Sequence, residues 1–312
     1  MESHMNATTH LNAGLASPLP ERKGQRIELG ERGFLKPGRL RWLRAIAWAV
    51  VLFFLVAIPT GVVTRFLGGF WEKTNGPVQL AVNLVGCLVA LGVYTVAVRL
   101  AEQRTPSEIA LRPMLPQLSL GLLAGAAMFA SAMGIMAMFG LYDIQATGPA
   151  PVWTALRKAL QAGVVEELMV RAVLLRLVWR AAGPWIAFAV SCAVFGFSHL
   201  GNPNATVIAA ICIALEAGVM LGAFYALTGR IWVSIGAHIA WNFTQGYVFG
   251  ASVSGMALGP AIARSIPNPN MPEWLTGGAF GPEASLPGAV ICLTVGLTVA
   301  WLAWRSGKFA KQ

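Results

Sequence analysis

Charge is what this sequence lacks. Of its 312 residues only 12% are Asp, Glu, Lys or Arg, where soluble domains carry about 25%. Acid is the scarcer sign, with 13 Asp and Glu against 23 Lys and Arg, a net charge of +10. Cysteine is sparse too: Cys87, Cys192, Cys212 and Cys292 stand apart in apolar runs without CxxC spacing. That excludes a disulfide-stapled secreted scaffold and leaves packing as their role. What fills the chain is apolar, with 56% hydrophobic residues and a mean hydropathy of +0.63. A disordered chain and an ordinary cytosolic globule are excluded, and an all-α, polytopic integral membrane protein fits. The basic excess has no interleaved aromatic surface pattern, which argues against nucleic acid as a partner. It reads instead as basic residues flanking membrane spans.

Residues 1–41 are polar and carry charges of both signs, so they read as a flexible cytoplasmic tail, with His4 given no weight. A long polar stretch precedes the first apolar run, so no signal peptide is expected. Residues 42–312 read as a single transmembrane domain. Its apolar runs lie at 45–64, 78–98, 117–141, 153–179, 184–200, 205–228, 231–249 and 286–304, which predicts about eight transmembrane helices. The fourth run carries Arg157, Lys158, Glu166, Glu167, Arg171 and Arg176, and a Gly/Pro-rich loop fills 250–285. Basic residues cluster in the tail, in alternate loops (Arg104, Arg112, Arg176, Arg180, Arg230) and at the end (Arg305, Lys308, Lys311), while Lys73 sits in a poorer loop. The positive-inside rule then places both termini in the cytoplasm, with the plasma or inner membrane as the location if the source is bacterial. It also puts His199 near the non-cytoplasmic end of its span. Gly121/Gly125 and Gly218/Gly222 have the small-xxx-small spacing of closely packed helices.

Ionisable groups inside a membrane mark functional sites by default. Glu167 and Arg171 are four apart on one helix face, with Glu on the favourable N-terminal side, so they are expected to pair and neutralise each other. Glu166 is turned about 100° away and is the carboxylate left for general-base work. His238 and Asn242 share a face of the seventh helix, and His199 ends the fifth. Together these residues supply a base, a water-orienting group and oxyanion donors. Glu166, His199 and His238 are also possible ligands for a divalent metal such as zinc, although HExxH is absent. Glu216 stands apart and reads as structural, paired with Arg230 or a neighbouring helix.

The ordered set EExxxR (Glu166, Glu167, Arg171), FxxxH (Phe195, His199) and HxxxN (His238, Asn242) resembles the CPBP intramembrane proteases, the CAAX prenyl endopeptidases and bacteriocin-processing Abi proteins. The stretch Gly218-Val219-Met220-Leu221-Gly222, Tyr225 and Thr228-Gly229-Arg230 before His238 adds to it. The resemblance covers about residues 150–245, a catalytic core within the transmembrane domain. It implies hydrolysis of a peptide bond in a membrane-associated protein or peptide. Glu166 would activate water, His199 would position it, His238 and Asn242 would stabilise the oxyanion, and Glu167 and Arg171 would support them. It implies no obligatory cofactor, with a zinc-type site as the alternative. Val170 and Ala172 depart from the family's aromatic and glycine beside the motif Arg. A non-catalytic scaffold or immunity protein binding a membrane partner through the same pocket is the second reading, and a small transporter the third.

Overall fold

The computed structural model describes residues 25–71 and 76–310. Arg22, Lys23, Lys73 and Lys311, used above to orient the chain, lie outside the described residues, as does the tail before residue 25.

Among the described residues there are eight helical rods. They are α1 (Arg41–Trp71), α2 (Gly76–Glu102), α3 (Met114–Met138), α4 (153–182), α5 (Pro184–Gly201), α6 (Val207–Thr228), α7 (232–248) and α8 (Leu286–Arg305). Among the described residues six of these are long and apolar enough to cross a membrane: α1, α2, α3, α5, α6 and α8. The sequence predicts eight such helices. The two that fall short are α4, which carries the charges, and α7, which is short. Both sit where their neighbours shield them. α4 packs on α1, α2 and α7, and α7 packs on α3, α4 and α6. Every residue of α7 from Trp232 to Trp241 is buried. The outer helices instead turn Ile58, Phe66, Leu88, Leu123, Trp185 and Leu297 outward, as a lipid-facing surface requires.

Local chemistry sets the breaks. Gly183, at φ +89°, closes α4 with a backbone few other residues adopt, and Pro184 opens α5. Thr206 caps α6 by accepting from the Ala209 amide at 3.0 Å, and Ser285 caps α8 by accepting from that of Gly288 at 3.2 Å. The glycine pair in α3 packs as its spacing predicts. A Cβ at Gly121 would lie 2.2 Å from the Val233 carbonyl oxygen, and one at Gly125 would lie 2.2 Å from that of Ala237. The backbones of α3 and α7 therefore touch, and this fixes the height of His238.

Two features modify the sequence reading. A two-stranded antiparallel sheet, β1 (Tyr142–Ala146) with β2 (Ala263–Pro267), joins the 139–152 connection to the long loop. That loop folds back into the bundle, burying Phe280, Glu283 and Ser285. At the opposite end, residues 25–40, read as part of the tail, lie packed: Ile27 and Leu35 are buried in the main core. The two ends of the described chain meet there, with Lys308 Nζ donating to the Gln25 carbonyl at 3.4 Å. An even number of rods runs between them.

Candidate active site

Glu166 and Glu167 end the regular α-helical part of α4. The next eight residues, Leu168–Leu175, form a wider π-helical stretch, a geometry frequent at functional sites. The rotation between the two carboxylates separates them as the sequence predicts. Glu167 turns inward and is fully buried. Glu166 turns to a cavity, with 39% of its side chain exposed.

Glu167 and Arg171 form the expected pair, with Arg171 NH1 donating to Glu167 Oε1 at 2.9 Å. The pair does more than neutralise itself. The same oxygen accepts from His238 Nδ1 at 2.9 Å. Arg171 NH2 donates to the Ala217 carbonyl of α6 at 2.8 Å, and its guanidinium lies 4.6 Å from the centre of the Phe195 ring of α5. One buried ion pair thus ties α4 to α5, α6 and α7. Glu167 is the carboxylate bonded to His238. Glu166 Oε2 stands 3.9 Å from His238 Nε2, beyond direct hydrogen bonding and close to the span that a single water bridges.

Both histidines are oriented by acceptors. A carbonyl can only accept, so the 2.7 Å contact from His199 Nδ1 to the Phe195 carbonyl places a proton on Nδ1. The same argument puts a proton on His238 Nδ1 opposite Glu167. Each ring keeps Nε2 for other work. Asn242 follows His238 by one turn.

Glu166, His199, His238 and Asn242 all line one cavity of about 600 Å³, whose wall continues over Phe53 and Val194. Those two side chains are exposed on the outer surface of α1 and α5, so the cavity opens sideways between helices. A smaller inner space of about 30 Å³ lies behind it. It shares Phe195, His199, His238 and Asn242 with the larger one and adds Glu216 and Glu283. By volume it holds about one water. The zinc alternative needs Glu166, His199 and His238 to converge. Among the described residues no three His, Cys, Asp or Glu side chains gather as a metal-ligand set.

Glu216 does not meet Arg230. The two are 14 residues apart, about 21 Å along a helix, and Glu216 instead lines the inner space together with Glu283. Glu283 carries no sequence signal, being one of two acids in a long loop, and only the fold-back reveals it. Glu102 and Glu108 also escaped the sequence reading. Glu102, Glu108 and Arg176 form an internal network, with Arg176 fully buried and donating to both oxygens of Glu102 at 2.9 and 2.7 Å. Arg176, read as a label for the cytoplasmic end, is an interior cation.

Residues 148–244 match the family model described as type II CAAX prenyl endopeptidase, Rce1-like. Glu166, Glu167, Arg171, His199, His238 and Asn242 all fall inside that segment. The match covers about a third of the chain and supports the CPBP/CAAX protease family read from the motifs. No curated protein and no solved structure matches the chain.

Proposed function

We propose that the chain is an intramembrane endopeptidase of the CAAX-protease kind, hydrolysing a peptide bond of a membrane-associated protein or peptide with a water activated by Glu166. The observation that carries this reading is the meeting of Glu166, His199, His238 and Asn242 on one laterally open cavity, with Glu167 withdrawn into the Arg171 pair. A peptide enters from the bilayer past Phe53 and Val194, which needs no route from the aqueous side. The basic residues near both ends favour a cytoplasmic position for both termini.

In this reading the water sits between Glu166 and the Nε2 of His199. Glu166 takes one of its protons as the oxygen adds to the scissile carbonyl carbon. The oxyanion that forms is met by His238 Nε2–H and by the Asn242 amide. Glu167 accepts from the far side of the His238 ring, so its charge supports a ring protonated on both nitrogens while the oxyanion lasts. No step passes through a metal.

The test compares purified wild type with Glu166→Gln and His199→Ala on a pool of quenched-fluorescence membrane peptides in detergent. Each variant is expected to lose at least roughly 100-fold in kcat/KM while keeping the wild-type melting temperature. Equal cleavage by wild type and Glu166→Gln sinks the reading. EDTA is expected to leave the wild-type rate unchanged. Loss on chelation with recovery on added zinc would replace the metal-free mechanism by a metal-dependent one.

A further inference from the structure

A second large cavity, of about 940 Å³, shares no residue with the one that Glu166 lines. Residues 28–32 and Pro37, from the segment before α1, form one wall. The end of α4 from Trp179 and the Gly183–Pro184 turn form another, with Arg41 at the start of α1 and Arg104 and Thr105 from the α2–α3 connection. The basic residues favour this end of the bundle as the cytoplasmic one.

Four arginines and three acids line the cavity, and several of them are already committed. Arg104 donates to Glu102 at 2.7 Å and to Glu108 at 2.8 Å. Glu102 also takes two bonds from Arg176. Glu28 accepts from Ser107 at 2.7 Å and lies 3.5 Å from Arg104. That leaves Arg32, Arg41 and Arg180 against the single carboxylate of Glu31. The rim adds to the surplus, since residues 32–44 hold Arg32, Lys36, Arg39, Arg41 and Arg44 and no acid. Arg44 folds back there, donating to the Lys36 carbonyl at 2.6 Å.

Arg180 is the group that asks for a ligand. It is half-buried, and its NH2 donates to the Leu35 carbonyl across the cavity's two walls. Its Nε is sealed from solvent and has no hydrogen-bond partner, a rare state that demands a reason. Among the described residues it has no carboxylate within ion-pair distance. Glu31 attracts it and Arg41 repels it, both from further away. A guanidinium held beside a like charge, with donors unspent, is a receptor for an anion, and its planar fork matches two oxygens of a phosphate.

The surroundings say which kind of phosphate. Trp42 follows Arg41 and Trp185 follows Pro184, and both indoles are exposed. Trp185 is fixed in place by stacking on Phe309, with ring centres 5.1 Å apart. Exposed tryptophans at the end of a membrane helix sit at the level of the lipid headgroups. Leu43, Ile46 and Ile186, also exposed, carry apolar surface onward along α1 and α5. A small soluble anion has no use for such a collar. Basic pockets between helices at the cytoplasmic face are suited to anionic headgroups.

We propose that this cavity binds the phosphate-bearing headgroup of an anionic phospholipid, with Arg180 holding the phosphate, Arg32 and Arg41 supplying charge at the rim, and the acyl chains running past Trp42 and Trp185. The lipid bridges the segment before α1 to the end of α4, the same two walls that the Arg180 bond to Leu35 joins. The site does not depend on the hydrolytic reading and is tested without a cleavage assay.

The full chain in a neutral detergent is titrated with phosphatidylglycerol and, separately, with phosphatidylcholine of the same acyl chains, and bound lipid is counted by native mass spectrometry. Phosphatidylcholine carries the same phosphate beside a cation that the arginines repel. Wild type is expected to hold one phosphatidylglycerol roughly 10-fold more tightly than phosphatidylcholine, and Arg180→Gln and the double variant Arg32→Gln/Arg41→Gln are each expected to lose that preference. Arg112→Gln removes an exposed arginine of the α2–α3 connection that does not line the cavity, and is expected to keep it. No preference in wild type, an undiminished preference in both cavity variants, or an equal loss in Arg112→Gln overturns the proposal. Inorganic phosphate is the third probe. Phosphatidylglycerol is expected to raise the melting temperature and millimolar phosphate to leave it unchanged. An equal rise with phosphate would make the ligand a soluble anion and overturn the lipid assignment. Arg32 and Arg41 are exposed, so their double variant carries the test if Arg180→Gln does not fold.

Discussion

At the scale of single residues, adjacent carboxylates have been given opposite environments by one step of helix rotation. Glu166 looks into a cavity and is 39% exposed, whereas Glu167 is fully enclosed and shared between Arg171 and His238. Their substitutions therefore separate. Glu166→Gln removes a partly solvated charge that closes no bond shorter than 3.9 Å, so stability stays at the wild-type level while cleavage is lost. Glu167→Gln leaves the Arg171 guanidinium buried without a counter-charge and His238 Nδ1 without its carboxylate. Breaking a buried pair from one side costs about 3–5 kcal/mol. The expected result is a clearly lower melting temperature in detergent as well as lost activity. A Glu167→Gln protein that melts like wild type would show that the pair does not hold α4 to α7.

At the scale of elements, the site depends on how closely α3 lets α7 approach. A leucine at Gly125 would begin 2.2 Å from the Ala237 carbonyl oxygen, one residue before His238. Gly125→Leu must push the two helices apart, and overpacking of that kind costs about 1–3 kcal/mol or more. Gly134→Ala in the same helix meets nothing within 4 Å and is expected to leave melting and cleavage nearly unchanged. Comparing the two variants by melting and by turnover checks the claim. This contact was legible in the sequence, because small residues four apart have a direct physical meaning in packed helices. So were the rods themselves, since each apolar run falls on one, and so was the Glu167–Arg171 pair. That α4 and α7 fall short of a membrane-crossing helix was not legible from the apolar runs, because both are shielded by neighbours that no local window reveals. Nor were the π-helical stretches at 168–175, 214–218 and 244–248, which arise from packing rather than composition. Glu216 and Glu283 are 67 positions apart, and Glu102 and Arg176 are 74 apart. Pairings of that range are made by the fold and leave no spacing to read.

At the scale of the whole molecule, the end of the bundle far from the site is closed by charge. Arg176 of α4 grips Glu102 of α2, Trp48 of α1 donates to Glu102 at 2.8 Å, and Arg104 bridges Glu102 and Glu108 at 2.7 and 2.8 Å. Tyr94 of α2 donates to Glu108 as well. The segment entering α1 is held by the same group, since Glu28 accepts from Ser107 at 2.7 Å and lies 3.5 Å from Arg104, and Arg180 donates to the Leu35 carbonyl. α4 therefore carries Glu166 and Glu167 on one turn and the anchor of this clasp two to three turns later. Glu108 lies in the connection between α2 and α3. Burial works to raise its carboxyl, but the Arg104 bonds and the Arg176 charge outweigh it and hold it below the ordinary 4.5. A carboxyl lower in the folded than in the unfolded state stabilises fully above the unfolded value, and that contribution is lost as pH falls through the folded one. The melting temperature is thus expected to be insensitive to this group from neutrality down to about pH 4.5 and to fall below it. Glu108→Gln should melt lower at pH 7, because Arg104 loses the charge of one of its acidic partners, and should show a shallower acid limb. Identical acid limbs in wild type and Glu108→Gln would mean that the clasp does not depend on this carboxylate, and that Arg176 and Glu102 alone hold α4 in register.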